Sequence, residues 1–102
     1  MFNLYQNFPN PFNPVTKIKF DIPVGTRHGV FVQIKVYDLL GREVTMLVNG
    51  FKQAGRYEIE WPAPTGNAMN YASGVYIYRI EARQVGSSTG DYVNVKKMVL
   101  IK

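Results

Sequence analysis

The chain has no cysteine, one histidine and one tryptophan among 102 residues, and only 7 acidic residues against 12 lysines and arginines. Without a thiol there is no disulfide framework, no thiolate zinc site and no cysteine nucleophile. The lone His28 sits in a glycine-flanked basic turn with no orienting partner nearby in sequence. It reads as a solvated turn residue, because a general base needs positioned neighbours. No apolar run approaches the ~18 residues of a membrane span, and no charged, apolar, small-residue pattern at the start reads as a signal peptide. Ser73, Ser87 and Ser88 lack a nucleophile elbow. Glu58 and Glu60 read as a polar strand face, and Gly86 and Gly90 precede neither Lys-Ser/Thr nor a helix start. These absences predict no catalytic, metal or cofactor-binding residues and a protein that is not an enzyme.

What is present is globular composition, with 46% hydrophobic, 14% aromatic and 19% charged residues. A chain of this length makes one domain that buries roughly 65% of its unfolded surface. The net charge of +5 invites a nucleic-acid reading. However, the cations are scattered over every predicted element, and only Lys96, Lys97 and Lys102 crowd together. No nucleic-acid partner is expected.

The first sixteen residues carry Pro9, Pro11 and Pro14. Proline removes amide donors and forces its predecessor to be extended, which excludes a helix or a central strand here. Tyr5, Phe8 and Phe12 predict that this arm, residues 1–16, is laid on the body of the domain with its aromatics covered. Residues 17–102 then form the body. Ile18, Phe20 and Ile22 alternate with Lys17, Lys19 and Asp21; Val32, Ile34 and Val36 alternate with Gln33 and Lys35. Residues 38–42 read as a turn around Gly41.

Residues 43–51 are ambiguous. Val44, Leu47, Val48 and Phe51 fit a helical period, while Val44, Met46 and Val48 fit a strand; the short span between Gly41 and Gly50 favours strand. Tyr57, Ile59 and Trp61 alternate with Glu58 and Glu60. Residues 74–84 are apolar on both faces, which predicts a central or covered strand. Six strands, with room for a seventh, predict an all-β fold: an immunoglobulin-like antiparallel β-sandwich of about seven strands, or else a small barrel.

Two features could carry function. The aromatic set Tyr57, Trp61, Tyr71, Tyr76, Tyr78 and Tyr92 could stack on sugar rings in a carbohydrate-binding or adhesive module, although core packing explains it more simply. The end of the chain, Lys96-Lys97-Met98-Val99-Leu100-Ile101-Lys102, is an apolar tetrad bracketed by lysines. It reads either as an edge strand with lysines that discourage aggregation or as a terminal strand recognised by backbone pairing and charge.

Six blocks follow one another along the chain: Leu4-Tyr-Gln-Asn-Phe-Pro-Asn10-Pro11-Phe-Asn13-Pro14-Val-Thr16, Ile18-Lys-Phe-Asp-Ile-Pro23, Val36-Tyr-Asp38-Leu-Leu-Gly41-Arg-Glu-Val44, Ala54-Gly55-Arg-Tyr57 with Trp61, Ala72-Ser-Gly74-Val-Tyr76-Ile-Tyr78, and residues 97–102. In this order they closely resemble a known family, the type A C-terminal sorting domain of cargo proteins of the type IX (Por) secretion system of Bacteroidetes-like bacteria. The family commonly has Asp-Gly after the tryptophan, where this chain has Pro62-Ala63. The resemblance implies a sandwich fused behind a secreted cargo whose signal peptide lies upstream. It also implies recognition by outer-membrane secretion machinery, removal by a sortase, and a secreted or cell-surface destination. A scaffold like the immunoglobulin-like module of flagellar hook-capping proteins shares the glycine-tyrosine blocks but lacks the proline-rich opening and the Lys-Lys-Met end.

Overall fold

The computed structural model describes residues 1–24, 29–62, 71–84 and 92–101; residues 25–28, which include His28, residues 63–70 and 85–91, and Lys102 lie outside the described residues. The chain forms β1 (Asn3–Leu4), β2 (Thr16–Ile22), β3 (Val30–Tyr37), β4 (Glu43–Lys52), β5 (Gly55–Trp61), β6 (Gly74–Gln84) and β7 (Tyr92–Leu100). Among the described residues these strands pair antiparallel, building one sheet in the order β1-β2-β5 and a second in the order β4-β3-β6-β7, and Phe12 makes an isolated parallel bridge to Leu100. The predicted all-β sandwich is therefore the fold, and the seventh strand lies inside the proline-rich arm.

Period-two patterning drives the assembly. Ile18, Phe20 and Ile22 of β2 are buried, as are Val30, Val32, Ile34 and Val36 of β3 and Tyr76, Tyr78, Ile80 and Ala82 of β6. These inward faces, with Trp61, Met98 and Leu100, make one core. Burying each of the larger side chains contributes about 1.5–3 kcal/mol. β6 lies between β3 and β7. Its outer residues Val75, Ile77, Arg79 and Glu81 are accordingly half-buried, which accounts for its apolar character on both faces.

β4 explains its own ambiguity. Its register against β3 shifts twice, so that Ile34 faces Val48, Lys35 faces Met46 and Tyr37 faces Glu43. Leu47 and Val44 are the extra residues at these bulges, and both pack partly buried against the core. A bulge adds one residue to one strand and resets which face follows. Two of them convert strand alternation into the spacing of three and four that imitates a helix.

The arm departs from expectation in one respect. Phe12 is 1% exposed, but Tyr5 and Phe8 are 43% and 79% exposed. The cause is register: Leu4 pairs with Phe20 and turns inward, so Tyr5, whose amide donates to Lys19 O (3.0 Å), falls on the outer face. Phe8 is bridged to Lys17 on that same face. The arm is anchored instead by Leu4, Asn7 and Phe12, which are 5%, 2% and 1% exposed. We expect Phe8→Ser to change stability by less than about 0.5 kcal/mol in urea denaturation, as for other exposed positions; a loss above about 1.5 kcal/mol would show that Phe8 is a packing residue after all.

The buried Asn7 works through hydrogen bonds. Its backbone amide donates to Tyr78 Oη (2.8 Å), and its Nδ2 donates to Pro9 O and Thr16 Oγ1, both at 3.1 Å. Thr16 Oγ1 donates to Pro9 O (2.8 Å), and Tyr78 Oη donates to Tyr5 O (2.7 Å). A buried polar group without a partner would cost about 1–3 kcal/mol. Here the partners are mutual, so the network specifies the arm's path.

Candidate recognition site

β7 is an edge strand of the four-stranded sheet, paired to β6 on one side. The other side is partly occupied by the arm. Phe12 N donates to Val99 O (2.9 Å), Ile101 N donates to Phe12 O (2.8 Å), and Val99 N donates to Asn10 Oδ1 (3.0 Å). Gln6 Nε2 donates to Lys97 O (2.6 Å). The two ends of the chain are thus laced together, and the terminal stretch is held extended. The proline-rich sequence suits this role, because a segment poor in amide donors can border an edge without extending the sheet.

Pairing with β6 sets which residues of the terminal motif can be seen. Met98 and Leu100 face inward at 0% and 1% exposure, whereas Ile101 is 49% exposed and Lys97 is exposed. Val99 and Lys96 are half-buried. Successive strand residues point to opposite faces, so the adjacent Lys96 and Lys97 side chains diverge. Lys102 lies outside the described residues.

The charges across the domain are unevenly satisfied. Lys17 and Lys19 share Glu58 at 3.5 and 3.7 Å, Lys35 meets Glu43 at 3.4 Å, and Arg42 meets Asp38 at 2.8 Å. Arg56 lies 3.9 Å from Asp21, while Arg79 and Arg83 both reach Glu81, at 3.2 and 3.1 Å. Lys52 sits over the Tyr57 ring at 5.4 Å. Among the described residues, Lys96 and Lys97 are the cations left without an acidic or aromatic partner.

The other motif residues are structural supports. Asn10 clamps β7, while Pro11, Asn13 and Pro14 are exposed along the arm beside it. Asp38 closes the β3–β4 turn: its Oδ1 accepts from Leu40 N (2.9 Å) and Arg42 N (3.0 Å), and its Oδ2 accepts from Arg42 Nε (2.8 Å). The bond from the Arg42 amide, more than any other contact, holds this carboxyl below the usual carboxylate range. Gly41 completes the turn at φ +83°, where a side chain would be strained. Gly55 and Gly74 open β5 and β6. Tyr76 donates from its hydroxyl to Ala72 O (2.6 Å), and its burial raises its pKa.

Trp61 is 2% exposed and is boxed in by Phe12, Tyr71 and Tyr76, with ring centroids 5.8, 5.0 and 5.3 Å away. A saccharide platform must show a ring face to solvent, and this one does not. Aromatic surface is instead exposed on the small sheet, where Tyr5 and Phe8 flank an open groove of about 730 Å³ with Lys17, Lys19, Asp21, Arg56 and Glu58. Its carboxylates are already engaged: Glu58 by two lysines and Asp21 by Arg56 and the Tyr5 hydroxyl. Among the described residues, no group of three or more histidine, aspartate or glutamate side chains is placed to hold a metal ion. Among the described residues no helix is long and apolar enough to cross a membrane.

The sequence reading missed the clamp residues Gln6 and Phe12 and the network of Asn7 and Tyr78. No local signal could have found the clamp, since Asn10 and Val99 are 89 positions apart. Comparison with known families gives one result: residues 6–100 match the model of the secretion system C-terminal sorting domain. Neither a curated protein nor a solved structure gives a match. The matched span starts at Gln6 and ends at Leu100, so it encloses both halves of the laced edge. Such domains imply fusion to an upstream cargo and engagement by secretion machinery. The chain therefore belongs to the C-terminal sorting domains of type IX secretion, the signals that direct attached cargo across the outer membrane to the cell surface or beyond.

Proposed function

We propose that the domain is a non-catalytic folded tag whose recognised element is the terminal segment of residues 96–102, read at the outer membrane by the secretion machinery, with a sortase then separating it from the cargo. The observation that supports this reading is the pair of unpartnered lysines: seven of the ten described cations lie within reach of a carboxylate and Lys52 sits over the Tyr57 ring, and the two left over adjoin in the terminal motif. A lysine that serves only solubility is free to lie on any surface. Concentration of unmatched charge on one edge favours recognition by an acidic partner. The arm, residues 1–16, serves in this reading as the frame that holds the tail extended, with residues 17–102 as the body.

Deleting the tail is a poor test, because it removes Met98 and Leu100 from the core. Lys96→Gln with Lys97→Gln leaves the core intact. Fused behind a periplasmic reporter in a type IX-competent host, this variant is expected to reduce export about tenfold, the effect of losing roughly 1.4 kcal/mol of binding. Its melting temperature should stay within about 2 °C of the parent. Normal export would remove the lysines, and with them this recognition reading.

A further inference from the structure

Backbone pairing along the terminal motif itself is obstructed. The outward-facing polar groups at its end, Val99 N and O, Ile101 N and Lys97 O, are already bonded to the arm. Outward groups recur every second residue on an edge strand, so the same side of β7 presents the N–H and C=O of Val93 and Val95 and the N–H of Lys97. Of these, Val95 N is bonded only to its own neighbour, Asn94 Oδ1, at 2.8 Å. Neither another strand nor the arm covers this stretch among the described residues. The side chains beside it are apolar and open, with Val93 and Val95 at 47% and 49% exposure.

We infer that residues 93–97 of β7 are a strand-addition site for an extended segment of a protein partner that carries carboxylates opposite Lys96 and Lys97. This rests on the tail-recognition reading and extends its backbone contact upstream of Lys96, onto Val93, Asn94 and Val95, which that reading does not include. Three observations carry it. Over five residues, the span of an ordinary short strand, the outward side is paired to no other strand among the described residues, and only Val95 N, on Asn94 Oδ1, and Lys97 O, on Gln6 Nε2, are engaged. The clamp from Asn10 and Phe12 ends that stretch at Val99, so an incoming strand has a fixed stop and hence a fixed register. Among the described residues the charge around the stretch is mainly cationic: Arg79, opposite Val95, shares Glu81 with Arg83, and Lys97 is unmatched. A second copy would bring this cationic edge against itself, whereas an acidic strand complements it.

Val95→Pro removes the central amide, whose only partner is a neighbouring side chain, so the fold should survive while strand addition is blocked. Val95→Thr keeps both the amide and strand propensity. Measured on the whole chain fused to a reporter, Val95→Pro is expected to lower export about tenfold and Val95→Thr to leave it near the parent, since the former forfeits one or two net hydrogen bonds. Circular dichroism and melting temperature check that both are folded. If Val95→Pro proves unfolded, Val93→Glu with Val95→Glu replaces it, because negative charge on the edge repels an acidic strand, and the same export loss is expected. Normal export by a folded, edge-blocked variant, with export still lost on Lys96→Gln with Lys97→Gln, would overturn strand addition while the tail reading stands. Normal export by both sets would overturn the two together. A parent chain that sediments as a dimer, and becomes monomeric with Val95→Pro, would assign the edge to a second copy and overturn the acidic partner.

Discussion

Trp61→Ala is expected to lose about 3–5 kcal/mol in urea denaturation, the usual cost of emptying a large aromatic site in a core. Small domains are stable by only about 5–15 kcal/mol in all, so this variant should sit close to unfolding at ambient temperature. The reason is position. Trp61 ends β5 on the small sheet, touches Tyr76 of the large sheet and meets Phe12 of the arm, so one side chain joins the three parts of the domain. Removing it should also loosen the Phe12 clamp on Val99 and thereby speed hydrogen exchange at Ile101, whose amide that clamp protects. The indole adds a diagnostic detail: its Nε1–H is buried with no hydrogen-bond partner among the described residues. An orphan donor costs about 1–3 kcal/mol. Trp61→Phe removes this group along with some packing, so it should cost less than about 2 kcal/mol. If the phenylalanine variant proves as damaging as alanine, the indole N–H is bonded and the packing account is incomplete.

Tyr78→Phe should cost about 1–3 kcal/mol although it deletes a single oxygen, because it strands the buried amide of Asn7 and releases the partly buried carbonyl of Tyr5. The hydroxyl accepts from Asn7 N at 2.8 Å and donates to Tyr5 O at 2.7 Å, 71 and 73 residues away along the chain. It is the bolt between the arm and the central strand β6. The same residue sets an alkaline limit. Burial pushes the Tyr78 phenol up to about 12, against 10.0 for a free tyrosine. Above pH 10 the unfolded chain loses this proton while the folded chain keeps it, so stability falls as pH rises. The contribution is whole below pH 10 and gone above about 12, which amounts to roughly 2–3 kcal/mol across that window. The stability gap between parent and Tyr78→Phe should therefore narrow between pH 10 and 12. The two proteins differ at this one hydroxyl, so the difference isolates it. A gap that stays constant over this range would mean that Tyr78 ionises as easily folded as unfolded.

The inward faces of β2, β3 and β6 were legible because alternation is a local property and each strand has one residue per step. Residues 43–51 were only half legible. Two bulges break the one-to-one count against β3, and nothing in the segment itself announces where a partner strand will skip a residue. Arm aromatics were misjudged for a related reason. Hydrophobicity says that Tyr5, Phe8 and Phe12 gain from burial, but the pairing of Leu4 with Phe20 leaves room for one face only, and Tyr5 and Phe8 fall on the other. The terminal motif stood out as lysines around an apolar run. A uniformly apolar run shows no alternation, however, and only pairing with β6 divides it into the buried Met98 and Leu100 and the more accessible Val99 and Ile101.

From composition and order alone came the absence of thiols and of any histidine set, the strand faces, the turns at Gly41 and before Gly55 and Gly74, and the succession of blocks that marks a sorting domain. All of these are written in short windows of chain. Two things needed the tertiary structure: that residues 10–12 close the edge of residues 99–101, and that Lys96 and Lys97 are left unmatched while the other described cations are not. Both depend on which distant segments become neighbours. An edge is open, or a charge unpaired, only with respect to everything else that could have reached it.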